Sequence, residues 1–506
     1  MSAPPLDPHY PVAHLRPPRN WINDPNGLVF HDGHYHVSYQ YNPYGATHAN
    51  MHWGHFRSPD LLSWEPLPIA LSPTPGGVDG DGCFSGNAVS DGDRLVAFYS
   101  AHLVARSPQH QPVTCAVSHD GGTTFRPRGE LLIPELPEGC TMYRDPYVWQ
   151  DGDGWRMLVG AALADGRAAT LLYDSPDLET WAYRGPFVAR HPEPIGGTEE
   201  LTGDGWECPQ YLPAAGGQAA LIFSTWTEPT GPMRVAALIG EEHDGHFKAG
   251  APVWADHGPD CYAPALLRAP GGTSHAGGSG GGRWLLWGWS WEARDQAWAV
   301  AGGWAGVLTV PREIHVGGDG TLRQRPATEL LALRGERTVQ AEGATHGPEP
   351  VELGNVGRAF DLTARLEPTG TAGLRLLTTP DGSEYLDIRL DAEAGELVVD
   401  RDHASLDTRA HGGAYRMPCP TGQPVDLRVV VDHSIAEVFL TSTGQVLTLR
   451  FYPTGQGAWR LQARTAPGTR LRYAVDAWEL HPLVIKTPTA GAAEQYGRTG
   501  LKEAPQ

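Results

Sequence analysis

Three carboxylates stand out for the company they keep: Asp24 in Trp21-Ile22-Asn23-Asp24-Pro25-Asn26-Gly27, Asp145 in Arg144-Asp145-Pro146, and Glu207 in Trp206-Glu207-Cys208-Pro209. Acids drawn into one cavity without clustered Cys or His suit glycoside cleavage. One carboxylate attacks or stabilises the anomeric carbon, and a second, kept protonated, donates to the leaving oxygen. Glu207 is the better acid, because an indole and a thiol beside it lower local polarity and raise its pKa. Asp24 lies among amide donors from Asn23 and the following residues, and Arg144 should keep Asp145 charged. Plainer readings stand beside these: an Asn/Asp turn between two strands for residues 21–27, and an exposed strand-end acid for Glu207.

The elements that would position these acids decide between the readings. Pro25-Asn26-Gly27 has the chemistry of a tight reversal, and Leu28-Val29-Phe30 reads as a strand. Asp24 would then sit at the start of a strand, on backbone rigid enough to meet one substrate atom.

A unit of about sixty residues recurs: a polar or acidic start, a Gly-containing turn, strands ending in aromatics, and often a closing Ser-x-Asp turn followed by an aromatic residue. The first copy starts at Asn23-Asp24 and closes at Ser58-Pro59-Asp60 with Trp64. The second runs from Phe84-Ser85-Gly86 to Ser118-His119-Asp120 with Phe125, and the third from Arg144-Asp145-Pro146 to Ser175-Pro176-Asp177 with Trp181. The fourth starts at Trp206-Glu207-Cys208-Pro209 and the fifth near Tyr262-Ala263-Pro264. Five such starts predict an all-β protein with an N-terminal five-bladed β-propeller over 1–325. In a propeller the first strand of each blade lines the central channel. Asp24, Asp145 and Glu207 begin the first, third and fourth copies, so all three face one funnel.

Beyond a Pro/Gly/Glu-rich linker over 326–354, short strands such as Leu374 to Leu377, Leu427 to Val431 and Ile435 to Leu440 predict a C-terminal β-sandwich over 355–486. Residues 487–506 are Gly/Ala/Thr-rich and are expected to be disordered. The 506-residue length fits two domains. Trp is abundant at 17 residues, and indole faces suit sugar binding as well as core packing.

The formal charge of 38 − 58 = −20 argues against nucleic acid and anionic membrane as partners. Six dispersed cysteines show no zinc spacing and no disulfide framework. Asp79-Gly80-Asp81-Gly82 and Asp151-Gly152-Asp153-Gly154 lack the Glu of an EF-hand and read as turns. The Gly271–Gly282 run lacks a P-loop Lys and reads as a blade loop. No metal and no cofactor is expected. With no signal-like segment and no long apolar span, the expectation is a cytoplasmic protein, monomer or homodimer, acting on a small sugar.

Residues 21–27, Tyr39-Gln40-Tyr41-Asn42-Pro43, Trp53-Gly54-His55, Phe84-Ser85-Gly86, Arg144-Asp145-Pro146 and Glu207-Cys208-Pro209 together resemble the signature blocks of glycoside hydrolase family 32. Asp260-Cys261-Tyr262-Ala263-Pro264 and Val431-Asp432-His433-Ser434-Ile435-Ala436-Glu437 continue the resemblance, which spans about residues 8 to 485. It implies a propeller plus sandwich and a retaining β-fructofuranosidase acting on sucrose or short fructo-oligosaccharides. Fructosyl transfer and sucrose 6-phosphate hydrolysis stand as alternatives. It implies Asp24 as nucleophile, Glu207 as general acid/base and Asp145 as transition-state stabiliser, with the two reacting carboxyls roughly 5–6 Å apart. Asn23, Gln40, Ser85 and Arg144 would hold the fructosyl unit, Phe84 and Trp53 would wall it, and Tyr262 would join the binding set. Two departures fall on the expected rim: His48 where many relatives carry Trp, and Ala263-Pro264-Ala265 where they often have Ala-Pro-Gln.

Overall fold

The computed structural model describes residues 7–107, 109–214, 217–271, 282–455, 457 and 459–487. The expected disordered tail and most of the Gly271–Gly282 loop lie outside these residues.

The chain is all-β, with one short helix at Gln296–Gly302 and one 3-10 turn at Thr328–Leu333 among the described residues. Residues 20–326 build five antiparallel sheets. Their first strands are Asn20–His31, Gly82–Asp91, Cys140–Asp151, Gly205–Leu212 and Cys261–Pro270. Each of these strands packs against the next, and the last packs against the first, so the five close a ring. That arrangement is consistent with a propeller. Two parallel pairings tie the first sheet to distant chain: Trp304–Ala305 joins Asn20–Trp21, and Val484–Ile485 joins Ser63–Trp64.

The Ser-x-Asp turns close three sheets by one mechanism. The Ser58 hydroxyl accepts from the Leu61 amide, Asp60 Oδ1 accepts from the amides of Leu62 and Ser63, and the Trp64 indole donates to the Leu61 carbonyl at 2.9 Å. Ser175, Asp177 and Trp181 repeat it, while Ser118 and Asp120 hold the Gly122 and Thr124 amides in the same way without the indole bond, since Phe125 has no N–H. Side-chain oxygens thus satisfy backbone donors that the strands leave open.

Two six-stranded sheets make the C-terminal sandwich. Their inner faces bury Phe360, Leu362, Leu374, Ile388, Val429 and Leu461 in one apolar core. The predicted linker is not a linker: Arg334–His346 pairs with Arg470–Leu480, and Val351–Val356 pairs with Trp459–Thr465. Both are edge strands. Along Arg334–His346 only Val339 and Thr345 are buried, so no apolar alternation marked it as strand. Charged, solvent-facing edges of this kind resist pairing with other chains.

The two parts are riveted by buried charge. Arg312 bonds Asp256 at 2.8 Å and Glu437 at 2.5 Å, and Thr448 also donates to Asp256. His14 bridges Asp432 at 2.8 Å and Glu437 at 3.1 Å.

Candidate active site

Every first strand of the five sheets breaks register with its neighbour at the same height. The breaks fall between Ile22 and Pro25, Cys83 and Gly86, Arg144 and Tyr147, Glu207 and Gln210, and Tyr262 and Ala265. A bulge leaves a residue outside the ladder, bends the strand and re-aims side chains. It also explains three prolines, since Pro146, Pro209 and Pro264 fall in the unpaired stretches where no ladder donor is needed, whereas Pro25 resumes the ladder opposite Tyr39. The residue before three of them has positive φ: Asp145 at 64°, Cys208 at 48° and Ala263 at 47°.

This corrects two expectations. Residues 25–27 do not reverse the chain; they lie inside one twelve-residue strand with a second register shift between Asn26 and Val29. Turn chemistry is used here to kink a strand. The three acids are also not strictly in phase. Asp24 and Asp145 directly precede the proline, whereas Glu207 stands one residue earlier, at the last paired position before the break as Arg144 does, and Cys208 takes the acid's place.

The bulges nonetheless bring the acids together. Ser85 donates to Asp24 Oδ2 at 2.5 Å, and Asn23 Nδ2 donates to Asp24 Oδ1 at 3.0 Å. The Trp21 indole in turn holds Asn23 Oδ1 at 2.8 Å. The Cys208 thiol lies 3.6 Å from Asp24 Oδ2 and 3.6 Å from Asp145 Oδ2. Asp145 also accepts the Cys208 amide at 3.1 Å, and its own amide donates to the Ser100 hydroxyl at 2.7 Å. Glu207 accepts from the Tyr262 hydroxyl at 2.6 Å and from Arg144 Nη1 at 3.2 Å.

Burial raises the pKa of Glu207, with Arg144 and the Tyr262 hydroxyl pulling the other way and Asp24 adding to the rise. The direction agrees with the sequence reading; the cause does not involve the indole beside it. Trp206 turns away into the core and stacks on Phe223 at 4.2 Å. The apolar surround comes from Tyr262, Trp289 and Cys208, with Trp21 and Trp291 against them. Asp145 departs from expectation. Burial and the Glu207 charge push its pKa up, and Arg144 offsets this only in part. Arg144 reaches instead to Glu207 and Gln109. Asp145 and Glu207 are thus two buried carboxyls whose protonated forms are favoured first of all by burial.

The other sequence-predicted residues fall around this centre. Trp53 is buried and donates to the Phe84 carbonyl at 3.1 Å, and Gln40 donates to the Cys83 carbonyl at 2.9 Å. Both therefore fix the Cys83–Ser85 backbone that presents Ser85. His48 is exposed at the mouth, edge-on to Trp21 at 5.8 Å and to Phe84 at 6.1 Å. Ala265 is no rim residue: it is buried in the core under the first sheet. Sequence reasoning missed Ser100, Gln109 and His102, which lie on or after a second strand where no motif marks them.

Comparisons with known proteins agree on one family. Residues 14–326 match the description "Glycosyl hydrolases family 32 N-terminal domain", and residues 329–478 match "Glycosyl hydrolases family 32 C terminal". A raffinose invertase of Escherichia coli is 32% identical over 463 residues, covering 88% of this chain and 90% of that protein. A sucrose-6-phosphate hydrolase of Escherichia coli is 30% identical over 475 residues, covering 88% and 89%. Among solved structures, fructan 1-exohydrolase IIa from Cichorium intybus matches with a TM-score of 0.81 at 22% identity, over 95% of this chain and 99% of that one. A Bombyx mori β-fructofuranosidase mutant in complex with sucrose matches with a TM-score of 0.75 at 25% identity, over 95% of each chain.

Proposed function

We propose, from the premise that this chain belongs to glycoside hydrolase family 32 and is an enzyme of that class, that it releases terminal β-D-fructofuranosyl units from sucrose and short fructo-oligosaccharides with retention. In this reading residues 1–325 form a five-bladed catalytic propeller, and the strands from Arg334 to Leu480 form a supporting sandwich. Asp24 attacks C2 of the fructosyl unit while Glu207 protonates the glycosidic oxygen. Glu207 then takes a proton from water as the fructosyl-aspartate is hydrolysed. Asp145 holds fructose hydroxyls as positive charge develops on the ring. Asn23, Ser85 and Arg144 complete the fructosyl site.

The observation that carries this reading is the division of donors around the acids. Asp24 accepts from neutral donors, Ser85 on Oδ2 and Asn23 on Oδ1, that orient a nucleophile without neutralising its charge. Glu207 is buried, raised in pKa and aimed by the Tyr262 hydroxyl. Two carboxyls with unequal surroundings match an acid and a nucleophile.

The relatives named for sucrose-6-phosphate hydrolysis support a second reading in which the glucosyl leaving group carries phosphate. The test is sucrose cleavage by purified enzyme, with the anomer first released followed by NMR. Retention gives the β anomer first, and Asp24→Ala and Glu207→Ala should each lower kcat by about 1,000-fold or more. Initial release of the α anomer, or near-full rates in either variant, would overturn the assignment. A trisaccharide in place of free fructose at high sucrose would show transfer rather than hydrolysis.

A further inference from the structure

Behind the pocket the second sheet holds a hydroxyl that the reaction so far does not use. Ser100 lies in the Arg94–His102 strand, opposite the break in register between Cys83 and Gly86, and is fully buried. At this break three successive carbonyls each take a side-chain donor. Gln40 Nε2 bonds that of Cys83 at 2.9 Å, the Trp53 indole that of Phe84 at 3.1 Å, and the Ser100 hydroxyl that of Ser85 at 3.1 Å. Ser85 is the residue whose own hydroxyl donates to Asp24.

Ser100 also reaches the next sheet, where its oxygen accepts the Asp145 amide at 2.7 Å. A hydroxyl can accept while it donates, so both bonds are made at once. One buried oxygen therefore spans two bulges, the one that presents Ser85 and the one that presents Asp145. From Asp24 the bonds run through Ser85 and Ser100 to Asp145, whose Oδ2 accepts the Cys208 amide beside Glu207. The device recurs between the fourth and fifth sheets, where the Ser224 hydroxyl accepts the Ala263 amide at 2.9 Å. It is barred between the third and fourth. Gly160 pairs with Arg144 as Ser224 pairs with Glu207, and a Cβ at Gly160 would lie 2.2 Å from the Trp206 carbonyl oxygen. The Asp145 carboxylate caps the Cys208 amide instead, and the placing of Asp145 falls to Ser100.

We propose that Ser100 is a positioning residue for the reaction, setting the spacing between Ser85, which orients Asp24, and Asp145. The inference rests on the fructosidase reading above. Attack at C2 needs the nucleophile and the group that steadies the ring in fixed relation, and a misplacement of about 1 Å can cost about 100-fold in rate. Both groups stand on bulges, where the ladder does not supply the backbone with partners and a side chain has to. Without the hydroxyl, the Ser85 carbonyl and the Asp145 amide are left buried and unpaired, and each shifts to find a new partner.

The test measures kcat and KM for sucrose in the full-length enzyme and in Ser100→Ala, Ser100→Thr, Ser85→Ala and the Ser85→Ala/Ser100→Ala double variant. Rates are taken per folded enzyme, from the thermal melting of each. Ser100→Ala should lower kcat about tenfold while KM moves less than about twofold, the pattern of an interaction felt in the transition state. Ser100→Thr keeps the hydroxyl on a side chain that suits a strand and should recover most of the loss. In the Ser85→Ala background, loss of the Ser100 hydroxyl should cost less than about threefold, because one of its two routes is already gone. A purely structural role gives the same loss in both backgrounds, or a lower melting temperature with kcat per folded enzyme unchanged, and either result overturns this inference alone. Should Ser100→Ala fail to fold, the same cycle is run with Ser100→Cys, whose thiol is a weaker donor. Failure of the wild-type enzyme to release fructose from sucrose overturns the hydrolase reading and this inference with it.

Discussion

Cys208 occupies in its strand the position that Asp145 occupies in the neighbouring one. Both precede a proline, both have positive φ, and both sit at a break in register. The two bulges face each other, so the Cys208 amide donates to Asp145 Oδ2 at 3.1 Å and the thiol touches both Asp145 and Asp24. A neutral group at this place lets two carboxylates share a small volume. Burial drives the thiol pKa far up, with Asp145, Asp24 and Glu207 adding to the rise, so Cys208 stays a neutral donor.

The first prediction concerns that neutrality. Cys208→Asp places a third carboxylate against two others in a buried site. It should destabilise the protein by about 3–5 kcal/mol, the effect of an uncompensated buried charge, and abolish turnover. Cys208→Ala removes the donor without adding charge and should lose about 1 kcal/mol. Denaturant unfolding of both variants checks the difference. Equal stability would mean that charge at this position does not matter.

The raised carboxyls predict a trade of stability for function. A carboxyl whose pKa is higher folded than unfolded holds its proton better in the native state. Its contribution is full below the unfolded value and is lost as pH rises through the folded one. Burial, then the Glu207 charge, raises Asp145 in this way. At neutral pH the ionisable site should therefore weaken the fold. Asp145→Asn should stabilise by about 0.5–2 kcal/mol near neutral pH, and the gain should vanish below pH of about 4, where the unfolded acid is also protonated. The same variant should lose most of its kcat. Thermal melting at both pH values, alongside sucrose cleavage, measures the two effects. An unchanged melting temperature at neutral pH would contradict the argument.

Gly27 ties the bulged first strand to the pocket wall. Its φ is +55°, and a Cβ there would come 2.8 Å from Trp53 Cζ3. Gly27→Ala must therefore strain the backbone and displace an indole that holds the Phe84 carbonyl. A loss of about 1–3 kcal/mol and a lower kcat/KM for sucrose are expected. A crystal structure of the variant with Trp53 unmoved and full activity would count against this coupling.

What the sequence disclosed follows from which residues carry local signals. The Asp-Pro, Cys-Pro and Ala-Pro pairs mark four of the five starts, and Phe84-Ser85-Gly86 marks the other, so the starts are legible as a repeat. Their bulges are not, because register depends on the partner strand, and spacing alone gives Glu207 the phase of Asp24. The edge strand Arg334–His346 showed no alternation because only two of its residues are buried. Arg144 stands next to Asp145 in sequence, yet successive strand residues diverge, and its guanidinium serves Glu207.

His14 tests how the sandwich is held to the catalytic part. Three successive amides, of Val12, Ala13 and His14, donate to the Asp432 carboxylate, and the His14 ring spans Asp432 and Glu437. Burial alone would push the His14 pKa down, but hydrogen bonds to these two carboxylates raise it to about 9. The ring is therefore an imidazolium at neutral pH. Its sign is opposite to that of a buried neutral histidine: the contribution is full below the unfolded value of about 6.5 and is lost as pH rises through about 9. Stability should accordingly fall with pH across that window in the wild-type protein. His14→Leu removes the cation that Asp432 and Glu437 share, leaving Glu437 with Arg312 and Asp432 with backbone amides and His433. It should lose about 3 kcal/mol at neutral pH and should flatten the decline between those pH values. Denaturant unfolding as a function of pH reads both effects, and a decline of equal slope in the variant would place the charge elsewhere.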